Sequence, residues 1–189
     1  MGLAWGLVAS GCAAAAGAPN LSEAERFRAF TVYFPGEEVA GLPLEEVVKR
    51  GAEETRAQVW SFHYGTCEPP EGEGGCSTPL QIQSQSTCRR WAAAGSSGST
   101  PRTYPFKGAR ASGGTDYGYE IELQPMEIFT GGATVVIYGD EEAVVKAAAR
   151  ALRKVGATEP QKRLPAPVPG SLGGKLPCQT KPGFPDVDR

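Results

Sequence analysis

Polar and apolar side chains alternate from Val59 to Tyr64, which puts Trp60, Phe62 and Tyr64 on one face of an extended chain and Val59, Ser61 and His63 on the other. This is the pattern of a core strand. Pro79 to Gln83 repeats it, with Leu80 and Ile82 inward and the glutamines outward, and predicts a pairing partner for the first strand. Thr31 to Phe34 are β-formers halted by Pro35-Gly36, a strand and a turn. Ser22-Glu23-Ala24-Glu25 has the form of a capping box and predicts a helical turn or two burying Phe27 and Phe30. Leu42 to Arg50 begins with a proline in its first turn and ends on basic residues, which favours a short helix over a strand.

The most regular stretch runs from Tyr117 to Gly156. Tyr119, Ile121 and Leu123 alternate with glutamates, Met126 to Thr130 makes a second strand, Gly131-Gly132 turns the chain, and Ala133 to Tyr138 suits a buried strand. A helix follows, capped by Asp140 and stopped by Gly156, with Val144, Ala147, Ala148, Ala151, Leu152 and Val155 as its apolar face. These elements predict an α+β fold over residues 21–157: a mostly antiparallel β-sheet with a C-terminal α-helix packed on one face, its loops stapled by disulfides. Prolines recur from Pro160 to Pro185, so residues 158–189 read as an extended tail that touches the domain at Cys178. Residues 93 to 103, rich in Ala, Gly, Ser and Thr, read as an exposed loop.

The N-terminus changes the picture. Leu3 to Ala9 form an apolar run shorter than the about 20 residues of a membrane span, followed by Ala9-Ser10-Gly11-Cys12. This segment resembles the lipobox signal of bacterial lipoproteins, although Ala9 stands where that family carries Leu. The resemblance implies removal of residues 1–11, a diacylglycerol thioether on Cys12, and residues 12–20 as a tether between lipid and domain. A secretory leader cleaved within Ala13 to Gly17 is the other exported reading, and a cytosolic chain with an apolar start the third. With Cys12 set aside, Cys67, Cys76, Cys88 and Cys178 form an even set. The turn-rich loop between Cys67 and Cys76 favours that pairing, leaving Cys88 to Cys178. Spacings of eight and eleven residues do not suit structural zinc, and no metal or other cofactor is expected.

Of 189 residues, 19 are basic and 21 acidic, a net charge of −2 spread along the chain, which argues against a nucleic-acid partner. His63 is the only histidine, so multi-histidine metal sites are excluded, and a Cys67–His63 thiolate pair competes with a bridged Cys67. No C-x-x-C motif occurs, and Gly170 to Leu176 lacks the spacing of a phosphate loop. Asp116, Glu120, Glu122 and Glu127 are acids that a hydrolase could use, but their pattern is that of a solvated sheet face. Trp60, Phe62 and Tyr64 read as core before they read as a carbohydrate or peptide platform. Trp91, after Arg89-Arg90, is the candidate exposed aromatic for ligand contact. The sequence thus points to a membrane-tethered, extracytoplasmic binding or envelope-assembly module whose partner is a protein or another envelope ligand, with an extracytoplasmic carboxylate hydrolase as the alternative. A concave, acid-lined cleft would favour the hydrolase.

Overall fold

The computed structural model describes residues 21–51, 58–67, 78–87, 102–113 and 125–173. A short helix, α1 (Leu21–Arg26), leads into β1 (Tyr33–Phe34), β2 (Glu38–Val39), β3 (Leu42–Arg50), β4 (Val59–Tyr64) and β5 (Leu80–Ser86). Next come β6 (Tyr104–Phe106), β7 (Ala109–Ser112), β8 (Met126–Thr130), β9 (Ala133–Gly139), the helix α2 (Glu142–Ala151) and β10 (Arg153–Lys154). Eight strands form one sheet in the order β2-β3-β4-β5-β9-β8-β7-β6, every pair antiparallel. It is two meanders joined where β5 meets β9. The mostly antiparallel sheet with one helix towards the C-terminus is the architecture that the alternation predicts.

Registers carry side-chain phase from strand to strand. Trp60 lies opposite Ser84, Phe62 opposite Ile82 and Tyr64 opposite Leu80, and Ile82 in turn opposite Ile137. These residues share the inner face, where Phe62, Tyr64, Leu80, Ile82, Ile128, Val135 and Ile137 are fully buried. Over this face lie α2 and the small β1–β10 ribbon. The Tyr33 amide donates to Ser84 Oγ at 3.1 Å and the Tyr64 hydroxyl donates to the Gly36 carbonyl at 2.8 Å, so the ribbon is held to the sheet by buried polar contacts as well as packing. Gly139 lets the helix close in: a Cβ there would stand 2.9 Å from Val145 Cγ2, closer than side chains tolerate.

Four expectations need correction. Leu42–Arg50 is a strand, not a helix. Its register slips between Leu44 and Glu46, and this bulge puts Leu44 in phase with Val47 and erases the two-residue period that would have revealed it. The helix after β9 is shorter than Asp140 to Gly156. The Asp140 amide bonds the Pro79 carbonyl at 3.4 Å, prolonging the β5–β9 ladder, so Glu141 becomes the N-cap and makes no side-chain cap bond. At the other end Leu152 is extended, because Arg153 and Lys154 pair with Phe34 and Tyr33. The buried face is accordingly Val145, Ala148, Ala149 and Leu152, one position round from the face that the sequence suggests. Ser22 lies inside α1 and does not open it.

The proline-rich stretch also touches down well before Cys178. Leu164 is buried in the main core and its amide bonds the Lys107 carbonyl at 2.7 Å. Thr130 Oγ1 donates to the Pro165 carbonyl at 2.9 Å, Gly131 N to Ala166 O at 3.1 Å and Val168 N to Gly131 O at 3.1 Å. A chain without regular structure is thereby fastened along the β8–β9 turn. The predicted strand at Tyr119 to Leu123 and most of the 93–103 loop lie outside the described residues.

Candidate functional site

The alternation that fills the inner face does not stop at Trp60. Two positions earlier, on the same side of the extended chain, stands Gln58, a polar residue in an aromatic row. It is 1% exposed, and neither its Nε2 nor its Oε1 has a hydrogen-bond partner; Trp60 is also 1% exposed, and its indole Nε1 has none either. Buried polar atoms are almost always paired, so three unpaired ones on two neighbouring inward residues mark an unusual place.

They lie at a cleft of about 560 Å³ between α1, the segment following it, and the β3–β4 end of the sheet. Phe27 forms one wall, its ring 5.7 Å from that of Trp60 in an edge-on arrangement and 4.8 Å from that of Phe30. Lys49, directly opposite Trp60 in the ladder, holds its ammonium 5.7 Å from the centre of the indole and pairs with the Glu23 carboxylate of α1. Arg26 and Arg28 complete the rim, and Arg28 donates to the backbone carbonyls of Glu25 and Phe27. Among the described residues the cleft therefore has an aromatic wall, three cations and one carboxylate, with Gln58 and Trp60 at its base. Its size suits a small organic ligand.

The outer face of the sheet carries a different polar surface. Registers align Glu46, His63, Gln81 and Tyr138 in one row across β3, β4, β5 and β9. Gln81 Nε2 and Thr78 Oγ1 each stand 3.4 Å from a ring nitrogen of His63, and the Thr78 hydroxyl donates onward to the Leu80 carbonyl. Gln81 can donate to Nε2 while Nδ1–H donates to Thr78, the neutral tautomer of the ring. Burial lowers the His63 pKa; Glu46 opposes this and Arg50 adds to it. The unfolded chain therefore binds the proton more readily. The stability owed to neutral His63 is present above the unfolded value near pH 6.5 and is lost as pH falls through the lower folded value. Urea midpoints measured from about pH 7.5 down to about pH 5 should fall more for the wild type than for His63→Gln. Parallel curves would show that His63 does not contribute.

Of the residues nominated from sequence, Cys67 follows β4 and is disulfide-bonded, which removes it as a thiolate partner for His63. Cys12, Cys76, Cys88, Trp91 and Cys178 lie outside the described residues, as do Asp116, Glu120 and Glu122. Glu127 is on the outer face and accepts from Ser112 Oγ at 3.4 Å. Glu127, the nominated acid among the described residues, does not line the cleft, whereas Trp60, weighed as part of an aromatic platform, does. Gln58 and Lys49 were passed over, yet the strand period extended by one step to Gln58 would have exposed the anomaly. Among the described residues no group of His, Cys, Asp and Glu could hold a metal ion, and no helix is long and apolar enough to cross a membrane. No family model, curated protein or solved structure matches the chain.

Proposed function

We propose that this chain is a binding module displayed outside the cell, tethered through a lipid on Cys12, and that it takes a small ligand into the cleft beneath α1. The observation that carries the reading is the pair Gln58 and Trp60, whose buried polar atoms have no partner within the protein. Leaving a buried polar group unpaired costs about 1–3 kcal/mol, so a pair that carries this cost at the base of a cleft supports a role for this place other than stability. Among the described lining residues only Glu23 is acidic, and it is paired to Lys49, which supports binding over hydrolysis by two carboxylates. Bridges Cys67 to Cys76 and Cys88 to Cys178 belong to the same proposal, as staples suited to an oxidising compartment.

Two measurements test it. Gln58→Met, which fills the same space without polar atoms, should raise the unfolding free energy by about 1 kcal/mol. A loss of stability would mean that the carboxamide is satisfied in solution and is no binding group. Intact mass of the membrane-extracted protein should show Cys12 as first residue plus an acyl increment, and Cys12→Ala should release the protein from the membrane. A soluble product beginning elsewhere would remove the lipid anchor from the reading.

A further inference from the structure

We infer that the cleft takes a small organic anion, a carboxylate or phosphate ester on an apolar body; this inference rests on the cleft being a binding site. Its described lining carries three cations, Arg26, Arg28 and Lys49, against the single carboxylate of Glu23, in a chain whose net charge is −2. The local sign is the reverse of the whole. Two of the cations are fixed at the cleft by contacts within the protein. Lys49 pairs with Glu23 and lies beside the indole ring of Trp60 with only 23% of its side chain exposed, so its charge acts where water screens it weakly. Arg28 donates from Nη1 to the Glu25 and Phe27 carbonyls at 2.6 and 3.0 Å, which keeps its guanidinium against the end of α1. Arg26 is exposed and, among the described residues, has no hydrogen-bond or ion-pair partner, so no described residue competes for its fork of N–H donors. A cation entering here meets three like charges. A neutral molecule displaces water from the same three groups and gives nothing back. An oxyanion accepts from guanidinium and ammonium alike, and charge-assisted bonds of that kind are about twice as strong as neutral ones. Charge acts through space, so the cations need not all touch one atom of the ligand to favour it. Phe27, half-buried and set edge-on to Trp60 and Phe30, gives the apolar body of the ligand a wall.

The experiment titrates the full chain, labelled with ¹⁵N, at neutral pH with benzoate, phenyl phosphate, benzamide and benzylamine, which share a ring and differ in charge. Binding is read from the backbone amides of Arg26, Phe27, Arg28, Ala29 and Lys49. At least one of the two anions should shift these amides and bind at least about tenfold more tightly than benzamide, and the tighter of the two tells carboxylate from phosphate. Acetate and inorganic phosphate, which lack the ring, should bind about tenfold more weakly than their phenyl counterparts. Raising sodium chloride from about 20 to about 200 mM should weaken the anions several-fold and leave benzamide unchanged. Arg26→Gln should weaken the preferred anion by about fivefold, and Glu23→Gln, which removes the carboxylate, should tighten it by about threefold. Opposite effects from two substitutions in one short helix do not arise from a loss of folding. Benzamide or benzylamine binding as tightly as the anions, or an anion affinity that neither substitution moves, would overturn the ligand class and leave the cleft as a site. If no probe shifts these amides, the cleft holds solvent only, and both this inference and the binding reading fall.

Discussion

Replacing Leu152 with alanine is expected to lower the unfolding free energy by about 2–5 kcal/mol. Leu152 is the C-cap of α2, fully buried in the main core, where the chain leaves the helix to form β10. Removing its isobutyl group loses the transfer free energy of burial and leaves a cavity that the sheet, the helix and the β1–β10 ribbon cannot readily close. Urea midpoints should drop without a change in slope. A companion pair locates the helix face: Val145 is fully buried and Val144 only partly, so Val145→Ala should cost more than Val144→Ala. The reverse order for the valines would restore the face read from sequence, and a neutral Leu152→Ala would mean that this end of the helix does not pack in the core.

A comparable loss, again about 2–5 kcal/mol, is expected for Leu164→Ala, although Leu164 lies among prolines. Its side chain enters the same core as Leu152, and the carbonyls that follow it are held by Thr130 and Gly131. Pro165→Ala at the adjacent exposed position should stay within about 0.5 kcal/mol. Equal, small effects at both positions would show that this stretch merely skims the surface.

What could be read in advance, and what could not, follows from how each element earns its place in the fold. β4, β5, β8 and β9 alternate cleanly or carry β-branched runs, so their existence and antiparallel pairing were legible. β3 was hidden by its bulge, together with a proline that sits harmlessly opposite Glu38 near the sheet edge. β6 and β7 are three and four residues long and contain Pro105, Arg110 and Ser112, too little pattern to separate from a loop. Among the described residues no strand lies beyond Pro160, in keeping with the proline content, but proline retains its carbonyl, and the residues between prolines keep their amides, so the chain docks without a ladder. The cleft was illegible for another reason: Glu23, Phe27, Lys49, Gln58 and Trp60 come from three separate segments, and only the fold brings them together.

The junction of β5 with β9 has a kinetic meaning. Each meander is built from neighbouring strands and can zip up locally, whereas the joining ladder from Leu80–Gly139 to Ser86–Ala133 unites segments far apart in the chain. Loop-closure entropy is spent before that ladder gains its bonds, which sets this step as the slow one in folding. Until it closes, β5 and β9 are both sheet edges, and β9 presents the run Val135-Val136-Ile137, the kind of open, β-branched edge along which chains aggregate. A chain crossing a membrane unfolded and maturing outside would pass through that exposed state with every molecule made.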